Sequence, residues 1–140
     1  MQVETRKLVT GDVFSYDFQF SQLDVDAFVK LSGDCNIIHQ DADAAAASPI
    51  GKMAVPGILS ATIFSRVLGT IFPGHGTVYR SQTLDFRRPV EIGRRYMALF
   101  AVQEVIPSRH RAVISTRVLD KESGHTCLDG TAVVIHLQRL

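Results

Sequence analysis

Asp34 and His39 stand five positions apart in the stretch 32–41, with Asn36 between them. A carboxylate and an imidazole on one ordered loop can converge on a common substrate atom and serve it as general acid and base. The same residue types are routine in loops, where Asp and Asn bond their own backbone. Spacing alone therefore leaves both readings open. The loop begins with a helix stop, because Gly33 can take the left-handed conformation that closes a helix, and Asn36 suits an irregular turn.

A second candidate lies at the start of the run 55–69. Arg66 is its only charge; Ile58, Leu59, Ile63, Phe64, Val67 and Leu68 alternate with Gly, Ala, Ser and Thr. A helix this apolar on all sides is expected to be buried rather than amphipathic. At 1.5 Å per residue it would be roughly 20 Å long, enough to cross one domain. Pro56 fits a first helical position, yet no Ser, Thr, Asp or Asn precedes it as cap. The amides of Gly57 and Ile58 then lack a side-chain acceptor. Such amides bind anions and developing oxyanions, and Gly57 would let a ligand approach the backbone closely. Water or a backbone carbonyl would satisfy them equally well.

The remaining elements frame these two. Residues 13–20 read as a first strand. Ser21 caps a helix with Asp24 at its third position, and Phe28, Val29 and Leu31 give that helix a modest apolar stripe. Asp41 is a good N-cap for the alanine-rich run 42–47, which Ser48 and Pro49 stop. From Thr77 onward the pattern is strands: 77–87, 95–106, 109–119 and 125–137, with 121–124 as a hairpin turn. Tyr96, Ala98, Phe100 and Val102 face one way and Met97, Leu99 and Ala101 the other, so this strand reads as apolar on both faces, with its outer face against another subunit. Val133, Ile135 and Leu137 share one face of the last strand. The expectation is an α+β domain whose antiparallel sheet curls around a central helix.

Composition narrows the classes. A chain of 140 residues, 46% hydrophobic and 21% charged, suggests one globular domain over 1–140. Fifteen Lys and Arg against fourteen Asp and Glu leave a net charge of +1, little field for nucleic acid. The charge-free run between Lys52 and Arg66 is too short to span a bilayer, and residues 1–11 lack the apolar stretch of a signal peptide. Cys35 and Cys127 are the only cysteines and show no metal-binding spacing, which points to a reduced, cytoplasmic protein. Cys35 is expected to be a small buried residue rather than a nucleophile. His39 with Asp41 or Asp43 finds no third metal ligand. His75, His110, His125 and His136 are given no role.

Taken together, the motifs resemble the MaoC-like (R)-specific enoyl-CoA hydratases. That family's loop reads approximately Asp-x-Asn-Pro-x-His, here Asp34-Cys35-Asn36-Ile37-Ile38-His39. The block that opens its central helix is here Val55-Pro56-Gly57-Ile58-Leu59; the runs 64–69, 72–74 and 81–90 are also similar. The resemblance covers roughly 13–137. Ile37 stands where the family has Pro, and Pro56 where it has the His that precedes the helix glycine.

The resemblance implies a hot-dog fold and a lyase that hydrates trans-2-enoyl-CoA to (R)-3-hydroxyacyl-CoA without cofactor or metal. It implies a catalytic set of Asp34, His39 and Gly57, the dyad activating one water and the Gly57 amide stabilising the enolate-like oxygen. Asn36 would orient the loop or the water. Ser65, two turns beyond Gly57, would lie near the acyl group or else bond its own helix. The partners implied are an acyl-CoA thioester and a second copy of the chain completing a tunnel. Arg87, Arg88, Arg94 and Arg95 flank a turn, where they would either meet coenzyme A phosphates or be solvated. Two other classes compete: a hot-dog thioesterase, which would release free thiol, and a non-catalytic acyl-CoA-binding subunit.

Overall fold

The structure is a computed structural model that describes residues 6–140. The first strand, β1 (Val13–Phe18), leads into α1 (Gln22–Ser32). The Ser21 hydroxyl accepts from the Asp24 amide at 3.3 Å while the Asp24 carboxylate accepts from the Ser21 amide at 2.8 Å. This reciprocal box satisfies two donors that a helix start leaves without partners. Gly33 closes α1 at φ 74°, its amide donating to the Val29 carbonyl at 2.9 Å. Of the apolar stripe, Phe28 and Val29 pack against the core, whereas Leu31 is 88% exposed. The anticipated stripe is therefore narrower than its sequence, with only Val25 fully buried on this helix.

A loop with one 3-10 turn follows, then α2 (Ala42–Ala46), whose Asp41 cap accepts the Ala44 amide at 2.9 Å. Ala45 is wholly buried there.

The central helix α3 (Gly57–Thr70) buries Leu59, Ser60, Ile63, Phe64, Val67 and Leu68. Phe64 meets Phe100 edge-to-face with ring centroids 5.9 Å apart, a pairing that adds about 1 kcal/mol beyond area burial. All-round burial of this helix is not what the structure shows. Ile58 is 59% exposed, and Thr62, Ser65 and Arg66 share its open side. The reason is architectural: the sheet covers one face of the helix, while the other faces an open cleft. There Ile58, Ala61 and Thr62 stand opposite Tyr79 to Gln82 and Leu84, and Arg66 lies over the Tyr16 ring.

The rest is β2 (Val78–Gln82), β3 (Asp85–Phe86), β4 (Tyr96–Ile106), β5 (Arg111–Asp120) and β6 (Thr126–Ile135). They form one antiparallel sheet in the order β1-β4-β5-β6-β2, with β3 beside β6. Alternation puts Tyr96, Ala98, Phe100 and Val102 into the core, while Met97, Leu99 and Ala101 stay half-buried on the outer face. In β6 the inward residues are Ala132 and Val134; Val133 and Ile135 face outward, and Leu137 lies exposed beyond the strand.

Beyond β6 the chain is pinned by His136, which is buried. Its Nδ1 accepts from the amides of Gln138 and Arg139, and its Nε2 donates to the His75 carbonyl at 2.8 Å. Those bonds fix both ring nitrogens, so this histidine is structural.

Candidate active site

The loop after α1 is built from short side-chain-to-backbone bonds. The Ser32 hydroxyl accepts the Asp34 amide at 3.0 Å, the Asp34 carboxylate accepts the Asn36 amide at 3.2 Å, and the Asn36 side chain accepts the Ile38 amide at 3.3 Å. This succession folds 37–39 into the 3-10 turn and swings His39 inward, where it is only 8% exposed. Its Nδ1 lies 2.7 Å from the Ala54 carbonyl oxygen. A carbonyl can only accept, so Nδ1 carries the proton, and in the neutral form of the ring the lone pair is at Nε2.

The Ala54 carbonyl is itself held in place. The neighbouring Val55 amide donates to the Val90 carbonyl at 2.7 Å, tying the approach to α3 onto the segment before β4. Pro56 is the residue before α3 rather than its first member, and no side chain caps the helix start. The predicted lack of a cap is thus present one residue later than expected. Gly57 is needed for a neighbour as well: a Cβ there would sit 2.9 Å from Cε1 of Phe86, whose ring covers the glycine.

His39 and Gly57 meet at one cavity of about 380 Å³, within the usual size for small-molecule sites. Its wall is mostly apolar, from Ile38, Ile50, Ala54, Val55, Phe86, Pro89 and Val90, with Ser60, Arg87, Arg88 and Cys127 completing it. The Ser60 hydroxyl donates to the Gly57 carbonyl at 2.6 Å and so stays within its own helix.

The other site residues read from sequence are placed differently. Asp34 and Asn36 are exposed on the shoulder of the same loop, and Ser65 lies on the open side of α3; none of the three lines this cavity. Cys35 is exposed, a correction to its expected burial, because the turn that points His39 inward points Cys35 out. Cys127 is the buried thiol. Burial pushes it above its ordinary value, the Asp120 charge acts in the same direction, and Arg88 acts against both. A thiol held protonated is a poor nucleophile.

Sequence reasoning passed over Phe86 and Cys127 as site residues. The signal for Phe86 was the glycine itself, since a residue without a side chain at a helix start invites a close neighbour. Among the described residues no group of three or more His, Cys, Asp and Glu could hold a metal ion, and no helix is long and apolar enough to cross a membrane.

An antiparallel sheet curled about one central helix is a hot-dog fold, and here a histidine-bearing loop lies at the helix start. The chain belongs to the MaoC like domain family, whose description matches residues 5–123. It is 40% identical to a 3-hydroxybutyryl-CoA dehydratase of Methylorubrum extorquens, covering 83% of this chain and 73% of that one. It is 32% identical to an (R)-specific enoyl-CoA hydratase of Aeromonas caviae, over 94% of this chain and 98% of the relative. Among solved structures, the (R)-hydratase from A. caviae involved in PHA biosynthesis superposes with a TM-score of 0.86 at 32% identity, covering 92% of this chain and 97% of that one.

Proposed function

We propose that this lyase adds water to a trans-2-enoyl-CoA to give the (R)-3-hydroxyacyl-CoA, and catalyses the reverse dehydration, with Asp34 and His39 acting on one water. The observation that carries the reading is the His39 tautomer, whose Nε2 lone pair belongs to a buried ring on the cavity wall. Nε2 takes a proton from the water, the hydroxide oxygen bonds C3, and the double-bond electrons move onto the thioester as an enolate. The enolate collapses when Cα takes a proton from the dyad. Asp34 holds the water, and Asn36 keeps the loop in register through its bond to Ile38.

The enolate oxygen gains its charge near the start of α3. The uncapped Gly57 amide, with the helix dipole behind it, is the donor we assign to that oxygen. Apolar walls around it strengthen such a bond by excluding water.

A homodimer completes the site. The open side of α3 carries Ile58 and Ser65, and a second copy against it would bring Ser65 into a closed acyl tunnel. Sedimentation is expected to give a dimer or larger assembly at assay concentrations; a fully active monomer would contradict this. A cytoplasmic, reducing location accords with two free cysteines.

The deciding assay follows the enoyl thioester absorbance band together with free thiol. Loss of the band with no thiol released is expected, with short-chain and long-chain substrates compared. Thiol release at the same rate as band loss would make the enzyme a thioesterase instead.

A further inference from the structure

Four arginines flank the connection from β3 to β4, and the structure separates them. Arg87 is held by Asp85 at 3.1 Å and by Asp129 at 2.9 Å. Arg94 is surrounded by Asp120 at 2.8 Å, Glu122 at 3.1 Å and Glu91 at 3.5 Å. Both are neutralised within the fold. Arg95 is exposed and does not line the cavity that holds His39.

Arg88 differs from all three. It lines that cavity, it is exposed, and among the described residues it has no carboxylate partner. Its backbone is nevertheless fixed: its own amide and that of Arg87 donate to the Cys127 carbonyl at 3.1 and 2.8 Å, and Pro89 follows. No Asp or Glu lines the cavity. One unneutralised cation at the edge of an apolar, acid-free pocket attracts an anionic ligand, and guanidinium binds phosphate oxygens through paired N–H donors.

We propose that Arg88 binds the first phosphate of the thioester's carrier arm, the group that coenzyme A and a phosphopantetheinylated carrier protein have in common. This rests on the acyl-thioester reading above. His39 marks the reacting end of the cavity. The pantetheine arm between thioester and phosphate is uncharged, which suits the apolar wall. Arg88 then holds the phosphate end of the arm and contributes to binding rather than to the chemical step.

The test compares Arg88→Gln with the unmodified protein on one enoyl group carried by coenzyme A, by 4′-phosphopantetheine and by pantetheine. Loss of one charge-assisted bond to phosphate should raise KM about tenfold on the first two. Turnover should stay within about twofold, and the pantetheine thioester should be unaffected. Arg88→Lys should recover part of the loss, since it keeps the charge but not the fork. A KM unchanged on phosphopantetheine but raised on coenzyme A would place the contact at the outer phosphates and overturn the assignment. Unchanged KM on both would overturn it outright.

The same enoyl group on acyl carrier protein separates the two sources, and the proposal requires Arg88→Gln to weaken whichever carrier the enzyme uses. On the unmodified protein, free 4′-phosphopantetheine should inhibit about tenfold more tightly than pantetheine; equal inhibition counts against Arg88 whatever the variant's folding. If the unmodified protein turns over none of the three thioesters, the acyl-thioester reading fails and Arg88's role falls with it.

Discussion

Replacing His39 by alanine is expected to lower kcat by ~10²–10⁴, with a milder effect on substrate binding. The ring offers a single lone pair, at Nε2, because the Ala54 carbonyl engages the other nitrogen. Removing it takes away the group that accepts the water proton. It also leaves the Ala54 carbonyl without its donor, a stability loss of about 1–3 kcal/mol, so thermal unfolding must accompany the kinetics. Asp34→Asn is the cleaner companion. The amide oxygen can still accept the Asn36 amide as the carboxylate does at 3.2 Å, so the loop keeps its turn while the charge is lost. Its kcat should fall by a similar ~10²–10⁴. The two losses should not add in the double variant, since both groups act on one water. Near-native hydration by either folded single variant would falsify the dyad.

That pair illustrates which parts of the molecule local sequence could specify. The Ser21 cap, the Gly33 stop and the Asp41 cap are decided within a few residues, and each was readable in advance; the return bond from the Ser21 amide to Asp24 is what the structure adds. Alternation placed Tyr96, Ala98, Phe100 and Val102 on one side of a strand, and they form the core face. Two features depended on contacts across the chain. The His39 tautomer is set by a carbonyl 15 residues away. The glycine at the start of α3 is needed partly for Phe86, which the antiparallel pairing of β3 with β6 delivers.

The errors have the same origin. Leu31 belongs to an apolar stripe by spacing but lies in the last turn of α1, and it is exposed. α3 looked buried all round because the helix as a whole is apolar, yet its open side carries Thr62, Ser65 and Arg66 beside Ile58. Asp34 and Ser65 are not among these errors: they lie outside the lining of the single chain's cavity, and their roles remain as proposed above. A second subunit is the element a lone sequence shows only as unexplained apolar surface.

The second large effect is expected at Gly57. Gly57→Val should reduce kcat by at least ~10², comparable to losing an oxyanion-hole donor. Two causes contribute, and they can be separated. A Cβ would lie 2.9 and 3.1 Å from Cε1 and Cδ1 of Phe86, closer than carbon atoms pack without repulsion. Phe86 is about half exposed, so its ring can move aside at modest cost. The added methyl groups would still stand over the Gly57 amide and keep the thioester oxygen from it. Trimming the ring in the double variant Gly57→Val, Phe86→Leu should therefore recover thermal stability while kcat stays low. If kcat returned with stability, crowding by Phe86 would account for the defect and the oxyanion role of the Gly57 amide would be lost. Pro56→His offers an independent check, because it adds an amide and an imidazole beside the same oxygen. It should alter substrate preference more than stability. A bound enoyl-CoA analogue gives the direct measurement: the thioester oxygen is expected within about 2.7–3.1 Å of the Gly57 amide nitrogen, and a distance well beyond that would sink the assignment even with Asp34 and His39 proven catalytic.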